Sequence, residues 1–383
     1  MKILLIIDQF DSANNGTTIS ARRFAKALRQ LGNEVRVVAT GAPGADKYSV
    51  KALFLPPVVK QIVTRQGMEF ALPNEEALRS GLAWCDVAHF MMPFFLCHKG
   101  LRLAEEMGVP HTAAFHVQPE NITSTVGLGG SRRGNDAIYA YFRDYYNRFD
   151  HIHCPSRFIA NQLVEHGYTS QLHVISNGID PLFSYCKREK PAEWQDRLVV
   201  LMVGRYSVEK RQEVLIDAVT KSKYADRIQL VLAGQGPREH FLRNRASVLS
   251  HPPLFGFFSE TDLHELMGCC DLYVHTADAE IEAISCIEAF ASGLVPVIAD
   301  SPKSATPQFA LDTRSLFPAG DSGELAAKMD YWFDHAQDRA RMERLYAERG
   351  EQYHLDACVR QAQEMFETAI RDARPDGEEV SHA

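Results

Sequence analysis

The stretch Asp271–Asp300, DLYVHTADAEIEAISCIEAFASGLVPVIAD, holds the unit that the whole chain repeats. DLYVHT reads as a buried strand, the segment opening near Ala283 as a helix, and LVPVIAD as a second buried strand. Strand, helix and strand in succession make a parallel βαβ unit. The same stretch places Glu280, Glu282 and Glu288 among Ile, Ala, Cys and Phe. Carboxylates seldom occupy such surroundings without a partner that offsets their desolvation.

Outward from that unit the alternation continues in both directions. Toward the N-terminus, KILLIID, EVRVVAT, VAHFM, HTAAF and HIHCP read as strands, with helices over 17–31, 75–83, 98–107, 135–147 and 156–166. After residue 195, RLVVLMVG, RIQLVLAG and PPLFGFF precede the opening stretch as further strands separated by helices. Alternation on this scale predicts an α/β chain with two doubly wound parallel sheets, each Rossmann-like, facing a central cleft. The turn-rich SNGIDPLFSYCKREKPAEWQD (176–196) suits a linker between them. The expected domains are 1–185 and 186–355. A helical stretch from about 324 to 372 closes the second. Residues 356–383 form a C-terminal helix able to pack back on the first domain, then a disordered tail, RPDGEEVSHA.

The length, 383 residues, and the composition, 45% hydrophobic and 23% charged, suit a two-domain globular protein. MKILLIIDQF has an apolar run broken by Asp8, too short for a membrane span and without a small-residue cleavage site. Eight cysteines show no metal-type spacing, so free thiols in a reducing cytoplasm are expected. Net charge is −8, divided as +2 over residues 1–185 and −10 over the remainder, which argues against nucleic acid as a partner. The basic clusters Arg22-Arg23-Lys26-Arg29 and Arg132-Arg133 suit either an anionic surface or a solvated helix face.

Several residues carry candidate chemistry. Gly16, in NNGTT, lies between the first strand and a helix start, where backbone N–H groups approach a phosphate; a turn glycine before an N-capping Thr17 or Thr18 explains it equally. No GxGxxG follows a strand, so a nicotinamide fingerprint is not supported and a Rossmann dehydrogenase is only a distant alternative. In VGRYSVEKRQEVLIDAV (203–219), Gly204 ends a strand and Arg205 and Lys210 flank the loop behind it. Two cations at a strand's carboxyl end are placed to hold a diphosphate, although a solvated loop has the same spacing. Gly234 and Gly236 of LAGQGP mark another close turn. His116 ends HTAAFH and is followed by Gln118, Glu120 and Asn121, which favours a role on a sugar hydroxyl over a structural one. His89, His98, His151 and His153 lack that context. Glu280 falls in the loop after a strand, and Glu288 one turn into the following helix. Glu282 fits a helix-start acid, whereas Glu288 lies too deep for that explanation.

Taken in order, the Gly16 loop, His116, NGID (177–180), GRYSVEK, GQGP and Glu280-x7-Glu288 followed by EAFASGLVPVIA resemble retaining GT-B glycosyltransferases of family 4, over about residues 1–350. FHVQPENIT is similar to bacterial members that glycosylate diacylglycerol. The resemblance implies a hexosyltransferase that takes a nucleotide-sugar donor, UDP-hexose, and needs no metal and no other cofactor. It assigns the diphosphate to Arg205 and Lys210, the ribose to Glu288, and the donor sugar to Glu280, the amides near Ala283 and Ile284, and His116. Gly16, Gly204 and Gly234 approach the donor, and Gly256 and Phe257 border the base. The chain departs from the family pattern at Asn15-Gly16, usually Gly-Gly, and at Ile281-Glu282-Ala283. Partners implied are a lipid or glycan acceptor, with FLPPVV and MMPFFL suited to peripheral contact at the inner face of the plasma membrane. Two rivals stand: a GT-B-fold epimerase or synthase, and a non-catalytic GT-B-like binding subunit. The intact set of five polar residues (Arg205, Lys210, His116, Glu280, Glu288) speaks against the second.

Overall fold

The first strand, β1 (Lys2–Gln9), is buried from Ile3 to Gln9. That is the pattern of a parallel strand covered on both faces, whose apolar residues run continuously instead of alternating. The computed structural model describes residues 1–11, 16–57, 60, 63, 68–125 and 131–373. The tail expectation for 374–383, Asn15, and the end of FLPPVV lie outside the described residues.

Around β1 a seven-stranded parallel sheet assembles in the order β3-β2-β1-β4-β5-β6-β7. Its strands are β2 (Glu34–Thr40), β3 (Lys47–Val50), β4 (Val87–Phe90), β5 (His111–Ala114), β6 (His151–Cys154) and β7 (Gln171–Val174). The helices between them are α1 (Gly16–Gln30), α2 (Glu75–Trp84), α3 (Phe95–Met107), α4 (Arg132–Tyr146) and α5 (Arg157–Glu165), with a short turn of helix at Pro119–Thr125. This first unit is completed by the C-terminal helix Leu355–Asp372. Val359, Ala362, Met365 and Phe366 of that helix pack in one cluster with Phe24, Ala25 and Leu28 of α1. A Cβ at Gly178, whose φ is +76°, would lie 2.7 Å from Cα of Leu355, so glycine is required where the chain passes that helix.

The second unit, residues 179–354 with 120–125, holds a six-stranded parallel sheet ordered β10-β9-β8-β11-β13-β15. Its strands are β8 (Leu198–Val203), β9 (Ile228–Ala233), β10 (Leu254–Gly256), β11 (Leu272–His275), β13 (Pro296–Asp300) and β15 (Leu316–Pro318), and β12 (Ala279–Glu280) pairs separately with β14 (Lys303–Ser304). Helices α6 (Gln212–Lys221), α7 (Glu239–Ala246), α8 (Glu260–Gly268), α9 (Ile284–Ala291), α10 (Ser322–Asp334) and α11 (Ala336–Glu351) complete it. Both sheets are parallel and flanked by helices, the doubly wound α/β arrangement expected.

The expected strands lack β3, β7 and β15, edge strands of three or four residues, and the two-residue β12 and β14, all too short to show a period. The sequence reading also treated 176–196 as linker throughout. Ile179 and Phe183 are instead fully buried in the second unit, and the Ile179 N–H donates to the Tyr353 carbonyl at 2.8 Å. All eight cysteines are free. No described helix is long and apolar enough to cross a membrane.

Candidate functional site

In the six-stranded sheet, β8 has β9 on one side and β11 on the other, so the strand order reverses between β8 and β11. Helices leaving these strands diverge to opposite faces and open a crevice at the carboxyl ends, the usual ligand position in such sheets. The residues bordering it are Gly204–Arg211 after β8 and Thr276–Ala283 after β11.

The β8 loop is held by its neighbours. The Gly204 N–H donates to the Ala233 carbonyl (2.9 Å), and Gly234 N–H to Gly256 O (2.6 Å). A Cβ on Gly234 would run into the Gly204 carbonyl, which accounts for glycine at that turn. Thr276 Oγ1 donates to the carbonyls of Lys210 (2.8 Å) and Arg211 (3.0 Å), and Asp278 N–H to Glu209 O (2.8 Å). Arg211 adopts the left-handed conformation, φ 54°, costly for a residue with a Cβ. Its guanidinium is tied to Asp278 (2.7 Å) and Glu213 (2.9 Å). Arg205 side chain is exposed beside these residues.

Glu280 is drawn into this crevice. Lys210 Nζ forms an ion pair with its Oε1, and His275 Nε2 lies 3.1 Å from the same oxygen. The side chains are 19% and 12% exposed for Lys210 and Glu280, and His275 is fully buried. Burial opposes ionisation of Glu280, but the Lys210 ammonium and the His275 hydrogen bond outweigh it and hold the carboxyl at about 2. Behind His275, its Nδ1 is 3.0 Å from the Tyr273 hydroxyl, which is 3.2 Å from Ser285 Oγ. Ser285 reaches the Val203 carbonyl at 3.2 Å.

Helix α9 begins at Ile284 behind Ala283, whose φ of 65° and ψ of 60° are also left-handed. Among the described residues, Arg211 and Ala283 are the two non-glycine positions with positive φ, and both border the crevice. Strain of this kind, about 1–3 kcal/mol each, gathers where function fixes the backbone. The start of α9 leaves N–H groups of its first turn for an anion or an oxygen-rich ligand. Glu288, on the second turn, is buried at 8% exposure. Glu282 is a correction to the sequence reading. It lies outside the helix, two residues before Ile284, and at 3% exposure is deeper than a solvated helix-start acid. Gly256 closes β10, and Phe257 beside it is 75% exposed.

Gly16 and His116 lie in the first unit. Gly16 is exposed at the first position of α1, and a Cβ there would meet nothing described within 4 Å, so packing does not demand glycine. Thr18 is buried within the helix and accepts from Gln9 Nε2 (3.2 Å), so neither Thr17 nor Thr18 precedes the helix as a cap. His116 follows β5, is 7% exposed, and among the described residues its Nε2 has no hydrogen-bond partner. Burial, then the nearby His153, pushes its pKa down to about 3, so the ring is neutral. His153 stands edge-on to it at 5.5 Å between ring centres and donates from Nε2 to the Ile175 carbonyl at 2.6 Å. His89 lies 6.1 Å beyond His153 and bonds Thr112 Oγ1 at 2.8 Å. The sequence reading assigned His89 and His153 nothing; strand spacing on one sheet face was the available signal.

The sequence reading therefore named both members of the Lys210–Glu280 pair and missed His275, Tyr273 and Ser285 behind it. Tyr273 and His275 sit two apart on one strand and so share a face, which is the clue that was present. Arg211, Asp278 and Glu213 also went unread, because their pairing depends on loop geometry. Among the described residues, no group of three His, Cys, Asp or Glu side chains is arranged to hold a metal ion.

Comparison with known proteins bears on the family and the fold. The model of Glycosyltransferase Family 4 matches residues 14–182, and that of Glycosyl transferases group 1 matches 186–348. A GDP-mannose-dependent alpha-mannosyltransferase of Mycobacterium tuberculosis is 26% identical, covering 84% of this chain and 85% of its own. An alpha-monoglucosyldiacylglycerol synthase of Streptococcus pneumoniae is 25% identical, covering 78% and 71%. Among solved structures, sucrose-phosphate synthase from Thermosynechococcus elongatus superposes with a TM-score of 0.75 at 16% identity, over 97% of this chain and 99% of that one. Anabaena HepE, in complex with UDP and glucose, gives 0.71 at 17% identity over 96% and 100%. With both family models matched in order across most of its length, the chain belongs to glycosyltransferase family 4 and is a glycosyltransferase of the GT-B fold.

Proposed function

We propose that the protein is a retaining hexosyltransferase that moves a hexose from a nucleoside-diphosphate sugar, UDP-glucose in the first instance, to a hydroxyl of a membrane lipid such as diacylglycerol. The observation that carries this reading is the crevice at the β8–β11 reversal, where a lysine, an ionised glutamate, an exposed arginine and a helix N-terminus gather on one loop pair. Arg205 and Lys210 neutralise the diphosphate as it leaves, in place of a metal ion. Glu280, kept ionised, accepts from donor-sugar hydroxyls, as the Ala283 and Ile284 amides donate to them. Glu288 takes the ribose hydroxyls, and Gly204 and Gly234 let the backbone approach. Gly256 and Phe257 border the base. In the first unit, Gly16 serves the phosphates and the neutral His116 serves the sugar near its reacting carbon.

Retention is supported by the names of the two relatives, both of which specify an alpha product, the outcome expected from an α-linked donor. A lipid acceptor is supported by the diacylglycerol relative and by Phe54, 90% exposed, and Phe95, 60% exposed, on the first unit. Most of MMPFFL is core, since Met91, Met92, Pro93 and Leu96 are buried. The test is a screen of UDP-glucose, UDP-galactose and GDP-mannose against diacylglycerol vesicles and soluble glycans, with and without EDTA, read by product mass and anomeric coupling in NMR. The proposal requires an α-hexosyl lipid formed in EDTA. GDP-mannose as the sole donor would move the reading to mannosyl transfer, and diphosphate release unaffected by any acceptor would favour an epimerase or synthase.

A further inference from the structure

Both groups that hold Glu280 converge on one of its two oxygens. Lys210 Nζ and His275 Nε2 both reach Oε1, and among the described residues Oε2 takes no hydrogen bond or ion pair. A carboxylate held in this way cannot rotate about its last bond without losing both partners. It presents one oxygen, fixed in direction, to whatever lies in the crevice. His275 is itself fixed. It is fully buried at the end of β11, and its Nδ1 lies 3.0 Å from the hydroxyl of Tyr273, also fully buried. Its Nε2 faces an ionised carboxylate oxygen, which can only accept, so the bond to Glu280 requires the hydrogen on Nε2. Ser285 Oγ, which donates to Val203 O at the end of β8, lies 3.2 Å from the Tyr273 hydroxyl. The series thus runs from the reacting crevice into the sheet, and the imidazole ring has a partner at each of its nitrogens.

We infer that His275 is a positioning residue for glycosyl transfer: with Tyr273 and Ser285 behind it, it fixes the Glu280 carboxylate so that Oε2 meets a hydroxyl of the donor hexose in the transition state. The inference rests on the proposed role of Glu280 at the donor sugar and adds a residue that acts only through it. A lysine alone does not supply this. An ammonium on a flexible stem attracts the carboxylate but sets no direction, whereas the imidazole N–H is directional and carried by a strand.

The experiment is a double-mutant cycle in the full-length protein, read as UDP release from UDP-glucose in the presence of diacylglycerol vesicles. His275→Ala is expected to lower kcat about 10- to 100-fold, the scale of a small misplacement at a reacting centre. KM for UDP-glucose and product inhibition by UDP should stay within about threefold, because the nucleotide contacts are untouched. His275→Gln, which keeps an N–H donor near the position of Nε2, should recover a large part of the loss. Tyr273→Phe keeps the buried ring and removes only the hydroxyl; it should cost a few-fold and supplies the same test if the alanine variant does not fold. Glu280→Gln should be impaired, and adding His275→Ala to it should cost nothing further. Additive losses, equal rates for the Ala and Gln variants, or more than half of the wild-type kcat in His275→Ala would overturn the inference while leaving Glu280 in place. An undiminished Glu280→Gln rate, or no turnover of UDP-glucose by the wild type, would instead remove the role of Glu280 and the inference with it.

Discussion

Replacing Lys210 by Met keeps most of the length of the side chain and deletes its charge, leaving the Glu280 carboxylate in a largely dry site with His275 as its one remaining partner among the described residues. The magnitude follows from the carboxyl itself. It is held at about 2 against an ordinary 4.5. At about 1.4 kcal/mol per tenfold, its surroundings favour the ionised form by on the order of 3 kcal/mol. Removing one member of a buried pair costs roughly 3–5 kcal/mol, and the residual exposure of both side chains lowers that here to about 2–3. The pH dependence has a definite sign. A carboxyl depressed on folding stabilises the native state above its unfolded value, and that stabilisation is lost as pH falls from about 4.5 through about 2. Wild type should keep this contribution at pH 5, and Lys210→Met should lack it at pH 7 already. The assay is urea denaturation followed by tryptophan fluorescence in a Trp84→Phe background, which leaves Trp194 and Trp332, both in the second unit. Glu280→Gln and the double variant complete the cycle. A loss below about 0.5 kcal/mol in Lys210→Met at pH 7, with an acid profile matching wild type, would refute the reasoning.

Other outcomes are expected from the same structure. Gly234→Ala should destabilise the second unit by at least about 2 kcal/mol, because its Cβ collides with the Gly204 carbonyl; denaturation midpoints check this. Glu288→Ala should weaken nucleotide binding at least tenfold with a small stability change, whereas Glu282→Ala should lower the melting temperature and leave nucleotide affinity near wild type. Equal effects of those two variants on affinity would remove the division between them. Burial holds His116 at about 3 and His153 at about 4, with His89 also well below 6.5. The unfolded chain therefore takes up protons below about 6.5 that the folded unit refuses, and stability is lost as pH falls from there toward about 4. Amide exchange of β4, β5 and β6 at pH 7 and pH 5 should show this, and unchanged protection would contradict it.

The parallel sheets were legible because strands covered on both faces keep continuous apolar runs, as in Lys2–Gln9 and Leu198–Val203. Edge strands such as Gln171–Val174, exposed at both ends, have no such constraint and escaped notice. Lys210 and Glu280 were legible as charges at strand ends, but their contact crosses 70 residues and is made by loop geometry. Glu282 was misjudged for a related reason. Its place near a helix start is compatible with solvent, whereas the residue, just before the left-handed turn at Ala283, is 3% exposed. His275 was hidden differently, since a histidine in a buried strand ordinarily has a structural explanation. What separates it from His89 is its partner, and partners are a property of the fold.

The central claim is that the second unit holds the diphosphate of a nucleotide-sugar donor at the β8–β11 reversal. Calorimetric titration of wild type and Arg205→Ala with UDP, and with GDP in parallel, tests it most directly, because Arg205 is exposed and its removal should leave the fold intact. The account predicts that one nucleotide binds the wild type and that Arg205→Ala weakens it at least tenfold, about 1.4 kcal/mol. Unchanged affinity in a folded Arg205→Ala protein would contradict it.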